Sequence, residues 1–449
     1  MFWSTNPWPR CMLAPASQIL TIRETNNMTQ YQLPYGHSHI TVEIPPSFQA
    51  DLLIPEIADP LPDPDQAIRN ALAAPIGKNK WHDFSQAKTV GIAINDKTRP
   101  VPKPNPIQHL LDYLDELGFK PEQITLFVGS GTHAAIPNSE FSRILDQSIL
   151  DRYRVVVHDC DQSPMIDLGK TSDQTPIQIN ADYYQCDLKF SVGNIEPHHF
   201  MGFSGGVKTA AIGLASRATI AANHARLTHP QAHTGVYHIN PLRQEVEEIG
   251  RKAGVHFCLG TILDEEKHIL KVYFGDPLAV MGAAIPIVRR LFGVSVPAPY
   301  DLVIASPGGA PKDINLYQSQ KALTHAARIT CDQGWVILTA ACPEGSGSKA
   351  YETYVTEAKS HQAIIQHFAD GYFKVGPHKA LLIAKEAIRV NIILASDLSP
   401  QTVKGWKLTP SIPELIDELV KWITSKLPHN ARIAILPAAT RTMTEVKND

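Results

Sequence analysis

Apolar residues in this chain fall in short unbroken runs separated by longer segments with helical spacing. Val90-Gly-Ile-Ala-Ile94, Ile124-Thr-Leu-Phe-Val128, Arg154-Val-Val-Val-His158 and Leu188-Lys-Phe-Ser-Val192 are four such runs. Runs without a polar alternation suit the strands of a parallel sheet covered on both faces. Between them the period changes: residues 106–117 (PIQHLLDYLDEL) read as an amphipathic helix closed by Gly118. Phe257-Cys-Leu-Gly-Thr-Ile-Leu263 lies between two further helical segments, 241–253 and 277–291. A second series follows with Tyr300-Asp-Leu-Val-Ile-Ala305, Trp335-Val-Ile-Leu338, Ile392-Ile-Leu-Ala395 and Arg432-Ile-Ala-Ile-Leu436. Strands alternating with helices in two series predict an α/β chain of two doubly wound, Rossmann-like domains.

The punctuation between these elements suggests the division. Near Ser295-Val-Pro-Ala-Pro299 the text turns to proline and small residues, so the domains are expected at 28–294 and 295–449. Residues 60–75 form a proline-rich linker into a short helix, and Ile40-Thr-Val-Glu-Ile44 alternates as a strand does. Residues 1–27, with Trp3, Trp8, Pro9 and Pro15, show no helical or strand period and no secretory core. They are expected to be a disordered extension.

Composition narrows the picture modestly. A net charge of −3 argues against a nucleic-acid surface, and no apolar run approaches a membrane span. The six cysteines show no C-x-x-C spacing, so they read as reduced thiols of a cytoplasmic protein, without zinc site or disulfide framework. Nineteen histidines are many for 449 residues and lean towards metal or acid–base work.

The chemistry gathers where strands end. Val90–Ile94 runs into Asn95-Asp-Lys-Thr-Arg-Pro, where prolines hold Asp96 and Arg99 on a fixed loop. The Arg99 fork would clamp a small carboxylate. Ile124–Val128 leads into Gly-Ser-Gly-Thr-His133, and Leu188–Val192 leads into the paired His198 and His199. Three strand ends carrying such groups point to one crevice at the carboxyl edge of a parallel sheet. Behind the histidines, Gly202-Phe-Ser-Gly-Gly-Val-Lys-Thr209 falls one residue short of a nucleotide phosphate loop, because Val207 stands where the second glycine belongs. An anion site formed by Lys208 and free amides at the following helix start stays open. On one ideal helix Lys208 and His224 would point about 160° apart, so a break at Gly213 is expected between them.

These strings resemble the nickel-dependent lactate racemase family. The matching pieces are D-x-T-R-P at Asp96–Pro100, G-T-H at His133, His198 ahead of the F-S-G-G-x-K turn, His224 sixteen residues beyond Lys208, and Y-Q-x-x-K at Tyr317, Gln318 and Lys321. The chain departs from the pattern at Ala134-Ala135, where the family commonly has Arg-Pro, and at Gly213-Leu214, where Pro-Gly is common. The resemblance implies a 2-hydroxy acid racemase or epimerase with its active site in the cleft between two domains. It implies a nickel pincer nucleotide, Ni(II)-pyridinium-3,5-bisthiocarboxylic acid mononucleotide, attached covalently through Lys208 with His224 on nickel. Asp96, Lys97, Thr98 and Arg99 would contact the cofactor, and Arg99, Tyr317, Gln318 and Lys321 the substrate. His133 and His198 would be the catalytic acid–base pair, with His199 a neighbour that falls outside the family spacing to Lys208.

The implied chemistry explains the residue types. A C2 hydrogen beside an ionised carboxylate is too weakly acidic for direct deprotonation, whereas hydride removal needs only a base for the hydroxyl proton. Two histidines suit a reversible inversion, since each titrates near neutral pH. The implied partners are a small 2-hydroxy acid and cofactor-synthesis enzymes, without nucleic acid or membrane. Two other classes stand beside this reading: a non-catalytic carrier of the same cofactor, and an ATP-using enzyme with a degenerate phosphate loop.

Overall fold

The computed structural model describes residues 23–25, 28–133, 136–372, 374 and 376–447. The chain divides into two compact units, and both are interrupted in sequence. One comprises Pro55–Val296, Glu357–Lys385 and the residues after Thr440; it is called here the histidine unit. The other, the hairpin unit, comprises the residues up to Ile54, Pro297–Thr356 and Glu386–Thr440. Both are α/β, as the two series of strands foretold.

The histidine unit is built on a sheet of six strands among the described residues. Its spatial order is Ile269–Gly275, Phe257–Leu263, Leu188–Asn194, Val90–Asn95, Ile124–Gly129, Arg154–Val157. All neighbours are parallel except the first pair. The chain winds outward from Val90–Asn95 in one direction, then returns to lay Leu188–Asn194 on its other side. The carboxyl ends of those two strands therefore form the topological switch point, where a doubly wound sheet leaves a crevice. Ile92, Ile94, Leu126, Val128, Phe190 and Leu259 are buried in one core cluster with Leu110, Leu111 and Leu114 of helix Pro106–Glu116. On the other side Ile195, Phe203, Cys258 and Ile262 pack with Val280, Met281 and Val288 of helix Pro277–Phe292.

The hairpin unit carries a wholly parallel sheet in the order Thr409–Ser411, Asn391–Ala395, Thr330–Thr339, Tyr300–Ala305, Ile433–Leu436, Ala50–Leu52. Met28–Tyr35 and Ser38–Ile44 form an antiparallel hairpin. Its apolar face (Tyr31, Leu33, Val42, Ile44) joins the core beneath this sheet with Ile416, Val420 and Ile423 of the last helix.

Two expectations change here. Residues 28–54 belong with the second strand series and not with 55–294: Ala50–Leu52 pairs with Ile433–Leu436, and the Glu43 amide donates to Asp417 at 2.8 Å. Hydrophobic alternation marks a strand but not the sheet it joins, so sequence proximity misled. The expected disordered extension also ends in structure, because Arg23–Thr25 pairs antiparallel with the start of the hairpin. The rest of the extension lies outside the described residues. No helix among the described residues is long and apolar enough to cross a membrane.

Candidate active site

Asp96 is the first residue after the Val90–Asn95 strand, at the switch point, and is almost fully buried. One of its oxygens accepts from the Thr98 amide (3.1 Å) and hydroxyl (2.6 Å), which closes the proline-bounded loop upon itself. The other lies 2.7 Å from Nδ1 of His133, which follows the next strand of the sheet. Burial pushes the Asp96 carboxyl up, but the hydrogen bonds from His133 and Thr98 outweigh it and hold its pKa below the usual range. Asp96, expected to contact the cofactor, is thus the partner of a catalytic candidate. Lys97 pairs with Glu140, its Nζ 2.5 Å from the carboxylate. Arg99 is half-buried and, with Asp96, Asn95, Gly193 and Asn194, lines a cavity of about 40 Å³ at the switch point. The cavity walls are locked by amide bonds, for Asn194 donates to the Pro100 carbonyl (2.8 Å) and accepts from Thr261 (2.8 Å).

The stretch after Leu188–Asn194 is held from beneath. His198 and His199 stack at 4.6 Å between ring centroids, and both meet Phe200 edge-on. Phe200 in turn meets the His224 ring at 5.1 Å, so one buried aromatic joins the histidine pair to the residue expected on nickel. The Met201 amide donates to His198 Nδ1 at 3.3 Å. The glycine turn that follows has positive φ at Gly205 and Gly206, and a Cβ on Gly205 would fall 2.6 Å from Ile195. The fully buried Arg243 braces this turn, donating to the carbonyls of Phe203 (3.0 Å) and Gly205 (3.1 Å), with Nε 2.8 Å from Glu247. Burying a guanidinium is costly unless it is paired and hydrogen-bonded, and here both conditions are met. The turn's carbonyls face a cation, and the helix behind it spans only Lys208–Ala211.

The expected break between Lys208 and His224 is present. Lys208–Ala211 ends, Gly213 turns the chain, and Arg217–Ala225 starts afresh with Ser216 as its N-cap. A Cβ on Gly213 would lie 2.2 Å from the Thr209 carbonyl and 2.9 Å from the Gly129 Cα. The Gly131 amide also donates to the Gly213 carbonyl (3.0 Å), so the break is seated against the loop that carries His133. His224 then comes within electrostatic range of Lys208. Burial first, and the Lys208 charge second, push its pKa down to about 3, so its imidazole is neutral at physiological pH. His378, at the start of helix His378–Ala387, is pushed down to about 3 by burial, by Lys379 and by His224. It was not foreseen, because Gly-Pro-His-Lys (376–379) is an ordinary helix opening in sequence. Arg243 was missed likewise, since nothing in a helical segment distinguishes a buried arginine from a solvated one.

In the hairpin unit, Tyr317, Gln318 and Lys321 lie in the opening turns of helix Leu316–Arg328. Lys321 Nζ donates to Gln318 Oε1 at 3.0 Å, as their spacing predicts, and burial raises the Tyr317 pKa. The helix is capped by Asn315, and nearby Asp313 is buried and accepts from the Gly36 amide at 2.7 Å.

Models of the lactate racemase N-terminal and C-terminal domains match residues 35–235 and 296–443 of this chain. The chain belongs to the lactate racemase family. Curated lactate racemases of Thermoanaerobacterium thermosaccharolyticum and Lactiplantibacillus plantarum are 27% and 28% identical to it, each over 91% of this chain and 98% of the relative. The solved structure of the Thermoanaerobacterium thermosaccharolyticum lactate racemase apoprotein superposes with a TM-score of 0.83 at 26% identity, covering 93% of this chain and 100% of that one. A Thermotoga maritima protein shares the fold at a TM-score of 0.61 and 18% identity, covering 87% of this chain and 100% of that one. The C-terminal domain model begins at 296, at the unit boundary, whereas the N-terminal model runs from 35, inside the hairpin that belongs to the second unit, to 235.

Proposed function

We propose that this member of the family is a racemase or epimerase that inverts the hydroxyl-bearing carbon of a lactate-like 2-hydroxy acid with a nickel pincer nucleotide. Lys208 holds the cofactor covalently, and His224 binds its nickel. The observation that carries the reading is the break at Gly213, which ends the short helix of Lys208 and starts a second helix for His224, so that the two no longer point apart as they would on one helix. Imidazole is a good ligand for nickel. When bound, the cofactor supplies a reversible hydride acceptor. The chain's own groups do the rest: His133 and His198 exchange the hydroxyl proton, and Arg99 clamps the carboxylate at the switch point. Thr98 and Asp96 shape the loop that presents Arg99. Tyr317, Gln318 and Lys321 are assigned to the substrate, and the cofactor-synthesis enzymes are the required partners.

The test is intact-mass and nickel analysis of full-length protein produced together with the cofactor-synthesis enzymes. Wild type is expected to carry a covalent adduct and nickel and to racemise a 2-hydroxy acid. Lys208→Ala is expected to carry no adduct. His224→Ala is expected to lose nickel and keep the organic adduct. His133→Ala and His198→Ala are expected to keep both and to lose on the order of 10²–10⁴ in rate in each direction. An unmodified, nickel-free wild type under those conditions overturns the proposal.

A further inference from the structure

The two catalytic candidates meet opposite hydrogen-bonding partners at the same ring atom. Nδ1 of His133 faces an oxygen of Asp96 at 2.7 Å. An ionised carboxylate only accepts hydrogen bonds, so Nδ1 carries the proton there. The low pKa of Asp96 agrees with an ionised carboxylate. Nδ1 of His198 faces the Met201 amide at 3.3 Å, and an amide N–H only donates, so Nδ1 offers its lone pair.

We infer that the pair is asymmetric: Asp96 positions His133 with Nε2 as an open proton acceptor, while the Met201 amide holds His198 with its proton on Nε2, as a hydrogen-bond donor. The consequences differ for each ring. When His133 takes the substrate hydroxyl proton, the O–H bond breaks, an Nε2–H bond forms, and the electron pair stays on the substrate oxygen. The imidazolium that results keeps its bond to Asp96, so nothing else rearranges. His198 cannot follow this course in place. Both its Nδ1–H tautomer and its imidazolium form would set an N–H against the Met201 N–H, so that contact must open before His198 accepts or releases a proton at Nε2. A charge-assisted bond at 2.7 Å and an ordinary one at 3.3 Å are suited to those duties, the first to persist and the second to yield. The catalytic consequence rests on the racemase reading, whereas the proton positions do not.

Asp96→Asn offers a sharp perturbation, because Thr98 fixes which way the amide faces. The Thr98 amide and hydroxyl donate to one Asp96 oxygen, so the Asn carbonyl takes that place and its NH₂ turns to His133 Nδ1. The donor then demands a lone pair on Nδ1, and the ring proton moves to Nε2.

The experiment is two-bond ¹H–¹⁵N correlation spectroscopy at neutral pH on the cofactor-free full chain labelled in histidine, with signals assigned through His133→Gln and His198→Gln. In wild type, His133 is expected with Nδ1 protonated and His198 as the Nε2–H tautomer. In Asp96→Asn, His133 is expected to switch to Nε2–H, while His198 stays as it was; a merely structural role for Asp96 would not exchange the tautomer. In Asp96→Glu, which keeps an acceptor, His133 is expected to retain its Nδ1 proton. Wild type needs no variant to fold, and finding both rings in the same tautomer, or His198 with Nδ1 protonated, overturns the inference. If the tautomers are as stated and the cofactor-loaded protein does not racemise, the racemase reading falls and the proton positions stand.

Discussion

The two parallel sheets of this chain end in opposite ways. In the histidine unit, the segments that follow the switch-point strands carry Asp96, Arg99 and His198, and Asp96 and Arg99 line a cavity there. In the hairpin unit, the corresponding crevice lies at the ends of Tyr300–Ala305 and Ile433–Leu436, and the chain fills it itself. The tip of the Met28–Ile44 hairpin is inserted there: Tyr35 donates to Asp397 at 2.7 Å, the Gly36 amide donates to Asp313, and Ser306 donates to the Pro34 carbonyl at 2.5 Å. Burial, then the Asp397 carboxylate, raises the Tyr35 pKa well above that of an ordinary phenol. One winding rule makes a crevice in each sheet, and the later use of the polar groups decides whether it is a site or a joint.

The comparison is broken most severely at Arg243. Arg243→Met removes the cation from beneath the glycine turn and strands Glu247, so a loss of about 3–5 kcal/mol is expected in urea unfolding of the cofactor-free protein. A change below about 1 kcal/mol would show that the turn stands without its brace.

Acid should then separate the units. His158, His224, His256 and His378 of the histidine unit all have lowered pKa values, against His325 of the hairpin unit among the described residues. Each of these is neutral when folded and protonated when unfolded below its ordinary pKa near 6.5, so unfolding takes up protons. Their contribution is constant above that pH and diminishes as pH falls towards the folded values, about 4 for His256 and His325. Each group contributes a slope of at most roughly 1.4 kcal/mol per pH unit. Hydrogen exchange at pH 7 and pH 5 is expected to show the larger loss of protection in the histidine unit, and His256→Asn should flatten the slope by about one proton. Equal losses in both units would refute the distinction.

The smallest effect is expected at the filled crevice. Tyr35→Phe removes one hydrogen bond to a carboxylate and should cost about 1–3 kcal/mol, towards the lower end because the Asp313–Gly36 bond remains. Adduct formation at Lys208 should be unaffected. A loss of the adduct in Tyr35→Phe would mean that this crevice serves the site after all.

Much of this was legible in the chain because parallel strands buried on both faces leave an unambiguous apolar text. Phe257–Leu263 and Tyr300–Ala305 lie where their runs predicted, residue for residue. The Met165–Lys170 and Pro176–Asn180 hairpin went unread, since the first of these strands lies partly exposed and its residues are as polar as a loop's. The break at Gly213 could be argued from angular geometry alone. The partner of Asp96 could not, because the bond to His133 spans two strands that only the sheet order makes neighbours. The partner of Lys97 was equally out of reach, because Glu140 lies forty-three residues on in sequence.

The contact between Gly129 and Gly213 has a further meaning for how such a protein can change over time. Two glycines meeting back to back leave no thickness for a side chain on either, so the segment bearing Lys208 and the segment bearing His133 are riveted together. A substitution at either glycine would shift both halves at once, and an insertion on one side would carry the other with it. Diversification of what the molecule accepts is therefore confined to surfaces that do not pass through this rivet.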